Sequence, residues 1–469
     1  MNIGLQILRL KAAKSLRSKT RLFILLVGLT CCQSGCVKDY LAVKRDKNQA
    51  VPVTLDQFQA ILDYDLLNRC WPEMGLLASD NMYMLDDYYL AAPDYVQENY
   101  TWRKNVYDEG SYLNGWSLIY NTLFYSNVVL DGLKDMPGMD IDSAFFNNIK
   151  GQALFLRASE FFNLAQIFAK TYDNSSANTD LGIPLRLTSD LNAPTIRATV
   201  QQTYDRIIQD LSTSVPLLPL KPRDKTRASK PAALAMLART YLVMGDYTKA
   251  LDNANECLEL YDSLMDYNMI DTSLQYPFPL FNKETIFFAT MLTSPSNLFS
   301  PKARVDLALY NSYEDNDLRK ALFFKPIEDN GVGFYGDYTG EQDHFSGIAT
   351  DEVILIAAEC NARLGKKDQA IEELNELLKT RYKKGTFIPL TATNADQALN
   401  SVLFERRKEL AFRGSRWTDL RRLNLDPKTM TTITRIVNGQ TYTLKPNDLR
   451  YVFQIPEDVI KMADIPQNP

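Results

Sequence analysis

The chain has 469 residues, 45% of them hydrophobic and 23% charged, an ordinary globular composition. Residues 1–35 hold six basic residues and no acidic one, so the rest carries 46 Lys and Arg against 57 Asp and Glu, near −11 where the whole chain is −5. That acidic surface argues against nucleic acid as a partner.

In chain order, the first element is an address. Basic residues up to Arg21 precede an uncharged apolar run, Leu22 to Thr30, which is too short to span a bilayer but has the length of a signal-peptide hydrophobic region. It ends in Gln33-Ser34-Gly35-Cys36, which resembles the lipobox of bacterial lipoproteins. The expected organisation is a removed signal peptide over 1–35, lipid attachment at Cys36, and one domain over 36–469.

Residues 71–113 have little helical period and are rich in Trp, Tyr, Asn and Asp, as expected of a loop-rich insertion. Amphipathic helices are predicted from Gly115, from Gly151 and from Thr199, the last starting on a good cap and stopping near Pro216. The segments Leu237–Leu260 and Ala357–Thr380 align without gaps at an offset of 120, with Ala238, Gly245, Ala250 and Leu258 matching Ala358, Gly365, Ala370 and Leu378. This resembles the tetratricopeptide repeat: two antiparallel helices, a glycine at the turn, and small residues where the helices touch. Helix-pair units are expected near 115–170, 199–260 and 351–380, and a second loop-rich insertion near 261–348. Cys257 and Cys360 fall in helical apolar patterns and read as small core residues.

The chemistry-bearing residues are sparse. There is one histidine, His344, which reads as a loop or core residue. No His/Cys/Asp cluster has metal spacing, so no cofactor or metal is called for, and no phosphate loop or nucleophile elbow is present. Within Glu405–Arg422, Glu405 and Lys408 can pair on a helix, Trp417 is an apolar anchor, and Arg416, Asp419 and Arg421 suggest a buried ion network.

Several segments together resemble the RagB/SusD family of nutrient-binding outer-membrane lipoproteins of Bacteroidetes. They are Asp39-Tyr40-Leu41; Trp116 with Tyr120 and Asn127; Arg157-Ala158 with Phe161-Phe162, leading to Gly182-Ile183-Pro184-Leu185; Tyr204 to Asp210 with Leu217-Leu218-Pro219; Asp317-Leu318-Arg319; Glu405 to Arg422; and Ile455-Pro456. Arg413 stands where that family usually carries Glu.

The resemblance implies a mostly α, tetratricopeptide-like helical repeat scaffold with large irregular loop insertions. It implies no enzyme, but a lipid-anchored protein at the cell outer membrane, facing the exterior. Such a protein would capture oligosaccharide or peptide ligands and hand them to a SusC-like TonB-dependent transporter. A hydrolase on a helical scaffold and a protein-binding repeat scaffold are the competing readings. The ligand site is expected among residues 80–112, where Tyr83, Tyr88, Tyr89, Tyr95 and Trp102 lie with Asn81, Asp86 and Asp87. Sugar rings want exposed aromatic platforms beside hydrogen-bonding groups, and Tyr88, Tyr89 and Trp102 are the leading choices. The loops 276–300 and 331–345 stand next in line.

Overall fold

The computed structural model describes residues 52–69, 73–104, 106–107, 115–136, 143–291 and 303–469. The signal peptide, Cys36, Asp39-Tyr40-Leu41 and Cys70 lie outside the described residues.

Residues Val53–Pro469 form one compact unit. Its frame is a set of longer helices, numbered here α1 to α9: Gly115–Lys134, Ala144–Phe168, Val200–Ser214, Lys230–Met244, Tyr247–Leu260, Thr350–Arg363, Lys367–Leu378, Ala395–Glu409 and Ser415–Leu423. The described strands are short and form separate two-stranded pairs. The fold is mostly helical, as the sequence pattern predicts.

The offset-120 repeat is two helix pairs, α4–α5 and α6–α7. Gly245 and Gly365 take φ of +76° and +80°, the left-handed region open to a residue without Cβ. Each turn closes the same way: Gly245 N–H donates to Leu242 O and Asp246 N–H to Tyr241 O, as Gly365 N–H does to Ala362 O and Lys366 N–H to Asn361 O. Ala250 and Ala370 are fully buried, so the second helix of each pair lies close against its neighbours. Cys257 on α5 and Cys360 on α6 are buried as well.

The helix α3 starts on a capping box, with Thr199 Oγ1 accepting from Gln202 N–H and the Gln202 side chain reaching back. The helix α2 is buried over nearly its whole C-terminal two thirds. Its last turn is finished by residues far along the chain: Arg421 donates to the carbonyls of Ala165, Gln166 and Ala169, and Asn468 Nδ2 to Phe168 O at 2.9 Å. Arg421 thus meets carbonyl oxygens rather than the carboxylate expected from its place beside Asp419. Burial lowers its pKa to about 10.

The residues that carry the family resemblance do structural work. Arg157 forks onto Asp210 at 2.8 and 2.9 Å and donates to Asn127 Oδ1 at 2.9 Å. Asn127 in turn donates to Arg186 O, and Tyr120 to Pro184 O. In the second half, Arg319 binds Asp317, Glu405 and Glu409, and Arg381 binds Glu409 and Glu284. Glu405 and Lys408 pair at 3.1 Å. Against the burial that would raise it, Arg422 and Arg363 hold Glu359 down to about 2. Arg413 pairs with Asp351 at 2.7 Å and lies 4.0 Å from the Tyr338 ring centroid. Charges this deep are tolerated because each is paired and hydrogen-bonded.

Candidate ligand-binding loops

The first candidate region follows the chain from Asp80. Strand β1 (Met82–Met84) pairs antiparallel with β2 (Ala303–Val305), which places residues 80–104 beside the second insertion. Two short helices follow, Asp86–Ala91 and Asp94–Tyr100. Three arginines from the C-terminal part of the chain clamp this segment. Arg416 forks onto the Asp80 carboxylate at 2.7 and 2.8 Å, and Arg407 donates to Asp80 O at 2.9 Å. Burial would raise the Asp80 carboxyl, but Arg416 and Arg407 hold it well below the usual range. Arg435 donates to the carbonyls of Leu77, Ser79 and Tyr100, its guanidinium 3.9 Å from the Tyr100 ring centroid and 4.6 Å from Trp102.

This geometry corrects the expectation of open aromatic platforms. Trp102 is only 2% exposed. Its ring lies over Arg435, its indole N–H is spent on Ala78 O at 2.9 Å, and its φ of +56° is a strained value for a bulky residue. Tyr89 is 5% exposed, 6.0 Å from the Tyr100 ring, and its hydroxyl accepts from Arg103. For Trp102 the cause is arginine: a guanidinium is planar and weakly hydrated, so it stacks on rings that would otherwise face water, whereas Tyr89 is covered by packing on Tyr100. Tyr88 is half-buried and keeps part of its ring open, as do Tyr83 and Tyr95, while Asn81 is buried. Asp86 and Asp87 are exposed, and Asp86 accepts from Asn438 N–H at 2.8 Å.

The second insertion presents one ring that is more open, Phe281, beside the half-buried Tyr276 and Tyr335. Loop 276–281 packs on loop 335–342: Tyr276 and Tyr335 meet with centroids 5.6 Å apart at 53°. Gly340, at φ +75°, allows the contact, since a Cβ there would meet Leu280 N at 3.2 Å and Phe278 O at 3.3 Å. At the tip, Phe281 is 36% exposed and Leu280 50%. Phe281 also has a left-handed backbone, φ +55°, and its ring rests edge-on against Phe288 at 5.0 Å. Asn282 Oδ1 accepts from Glu284 N–H and fixes the residue that follows. Burial, then Tyr335, Asp337 and Glu341, push the Tyr276 hydroxyl up. His344, the lone histidine, is buried 2.5 Å from Asp337 beneath this loop.

Two other features bear on chemistry. Among the described residues, Glu284, Asp351 and Glu409 stand close enough to share a cation. Each is instead met by a guanidinium, Arg381 or Arg413, which puts positive charge where an ion would sit. A concavity of about 510 Å³ runs along α1, lined by Trp116, Tyr120, Phe124 and Met462. The Tyr120 hydroxyl, the Asn127 amide and the Arg186 guanidinium there are turned onto backbone carbonyls, so its wall offers few groups to sugar hydroxyls.

With this geometry in hand, the chain was compared with known proteins. A family model described as "Starch-binding associating with outer membrane" matches residues 39–242, and one described as "SusD family" matches residues 348–469. This chain belongs to the SusD/RagB family. Among curated relatives, SusD-like protein P2 of Formosa agariphila is 24% identical over 339 residues, 60% of this chain and 66% of its own length. SusD-like protein P38 of the same organism is 21% identical over 390 residues, 66% of this chain and 72% of its own length. A SusD superfamily protein from Bacteroides thetaiotaomicron superposes with a TM-score of 0.73 at 24% identity, covering 89% of this chain and all of that one. A putative sugar binding protein from Bacteroides vulgatus superposes at 0.71 with 22% identity, over 90% and 99% of the two chains. A laminarin binding SusD-like protein reaches 0.64 at 18% identity, over 88% and 99%. These likenesses fix the SusD/RagB fold, including the tetratricopeptide-like pairs, and leave the ligand to be argued from the site.

Proposed function

We propose that this SusD/RagB member is a non-enzymatic surface lipoprotein. It would be anchored through Cys36, bind oligosaccharide ligands and deliver them to a SusC-like TonB-dependent transporter. The observation that carries the reading is family membership across both halves of the chain, with solved relatives described as sugar or laminarin binding. No described helix is long and apolar enough to cross a membrane, which is consistent with attachment by lipid. Peptide is the alternative ligand class.

The ligand platform is assigned to Phe281, Tyr276 and Tyr335, with Tyr88 as the contributor from the first insertion. Supporting this is the pairing of an exposed ring with a strained backbone at Phe281: such strain persists where the surroundings over-determine it, and it clusters at ligand clamps. Trp102 and Tyr89 hold the first loop in place.

A glycan array on the mature chain, followed by calorimetry on Phe281→Ala, tests the binding claim; wild-type affinity in that variant moves the site elsewhere. Cys36→Ser should release the protein from membranes, and unchanged retention would refute the anchor. Pull-down from detergent-solubilised membranes should recover a large β-barrel partner, and repeated recovery of the lipoprotein alone would refute the delivery step.

A further inference from the structure

Two small cavities lie side by side where the helical scaffold meets the loop layer. One, of about 20 Å³, is walled by Arg239, Ser346, Glu352, Arg406, Arg413 and Asp419 among others. The other, of about 30 Å³, has Asn68, Ser159, Arg239 and Ser346 in its wall. Arg239, Ser346 and Gly347 belong to both, so Ser346 stands between them.

Five buried polar atoms of these walls have no protein partner: Arg406 Nη1, Arg413 Nη2, Ser346 Oγ, Ser159 Oγ and Asn68 Oδ1. The other polar atoms of the same side chains are used, Arg406 Nε on Asp419, Arg413 Nη1 on Asp351 and Asn68 Nδ2 on Thr226 O. Buried donors and acceptors go unmatched at a cost, and it is unusual for so many to gather at one place without a reason.

We infer that each cavity binds one ordered water molecule, and that the two waters and Ser346 form a hydrogen-bonded relay from Arg406 and Arg413 to Asn68. Room is sufficient, because a cavity needs about 10–15 Å³ to hold a water. The order of donors and acceptors suits two waters, and the charge balance argues against an anion. At one end the guanidinium N–H groups can only donate, and at the other Asn68 Oδ1 can only accept. The hydroxyl of Ser346, in both walls, lies between, that of Ser159 shares the second cavity with Asn68, and each can do both. A water accepts and donates, so two of them complete the line. Asn68 Oδ1 lines the second cavity, away from the two arginines, and there only a donor such as water can meet it. Nor does the charge call for an anion: Arg239 faces Glu352, Arg406 faces Asp419, and Arg413 faces Asp351. The relay ties together three parts of the chain: the segment at Asn68, α2 through Ser159, and the Glu405–Arg422 stretch.

The test is a crystal structure of the mature chain grown in sodium bromide, with data at the bromine edge and resolution sufficient to place waters. One water-sized peak in each cavity, within hydrogen-bonding distance of the five atoms and without anomalous signal, is the expected result. An anomalous peak beside Arg406 and Arg413 would make this an anion site and overturn the inference. So would cavities without density while waters elsewhere in the interior are resolved. A second crystal, of Ser346→Ala, should keep the water on the two arginines; its loss would show that the arginines do not hold it.

Discussion

The two insertions carry similar aromatic content but use it in opposite ways. In the segment 80–104, rings are turned inward: Arg435 is sandwiched by Tyr100 and Trp102, and Arg416 and Arg407 clamp Asp80. In the loop pair 276–281 and 335–342, no arginine is stacked on the rings of Phe281, Tyr276 or Tyr335 among the described contacts, and Phe281 stays open to solvent. The difference teaches that the number of aromatics does not identify a platform: Arg413 covers Tyr338 in the second pair as Arg435 covers Trp102 in the first, and each ring's exposure has to be read by itself.

The largest effect should come from removing the cation of the first insertion. Arg435→Ala leaves three buried carbonyls unmatched and two rings without their filler. It should cost on the order of 3–5 kcal/mol in chemical denaturation. Trp102→Ala should cost a similar amount through its cavity, roughly 3–5 kcal/mol. If either melts like the wild type, the first insertion is not pinned and the contrast fails.

Acid should loosen the first insertion before the second. The folded-state pKa of Asp80 is depressed, so its contribution is present above the unfolded-state carboxyl value, near 3.8. It is lost as pH falls toward the folded value. Limited proteolysis between residues 80 and 104 should be flat from pH 5 to 8 and rise below pH 4. Asp80→Asn should be cut more readily at neutral pH and lose that acid dependence. A rise beginning at pH 6 would mean that another group governs.

Smaller effects belong to the open loop. Phe281→Ala should weaken ligand binding by roughly 1–3 kcal/mol, by analogy with base–aromatic stacking, with its thermal midpoint unchanged. Loss of stability without loss of binding would place Phe281 with Trp102 as a structural ring. Smallest of all, Phe281→Gly should match the binding loss of Phe281→Ala yet exceed it in stability, by about 1 kcal/mol, because glycine accepts the left-handed backbone freely. Equal melting of the two variants would show that the strain is absent in solution.

The fold was more legible in the sequence than the site. Gly245 and Gly365 announce their turns because only a residue without Cβ suits that backbone, and Ala250 and Ala370 repeat the same contact, so local chemistry recurs at a fixed offset. The helix start at Thr199 is equally local, whereas α2 begins on the Ser143 cap, ahead of the Gly151 expected from the sequence. The site depends on distant partners. Trp102 and Arg435 lie far apart in the chain, as do Arg435 and Tyr100, 335 residues apart, and no periodicity links them. Arg421 was misread for the same reason: next to Asp419 it suggests an ion pair, whereas its carbonyl partners at the end of α2 are about 255 residues upstream. Phe281 carried no signal beyond its place in an aperiodic loop, since neither its exposure nor its φ is written in neighbouring residues.

The helix end at Ala165–Ala169 has a consequence for the order in which this protein can be made. Its carbonyls are matched by Arg421 and Asn468, and Asn468 also receives Arg197 from the hairpin near Gly182. A chain emerging from the ribosome N-terminus first therefore completes the helix long before it possesses the side chains that finish it. Until Arg421 and Asn468 have been made, the carbonyls at the end of α2 lack the partners they have in the folded protein. The last turn of α2 is thus closed by side chains about 250 to 300 residues further along the chain. An Asn468→Ala variant should refold more slowly than the wild type after dilution from denaturant.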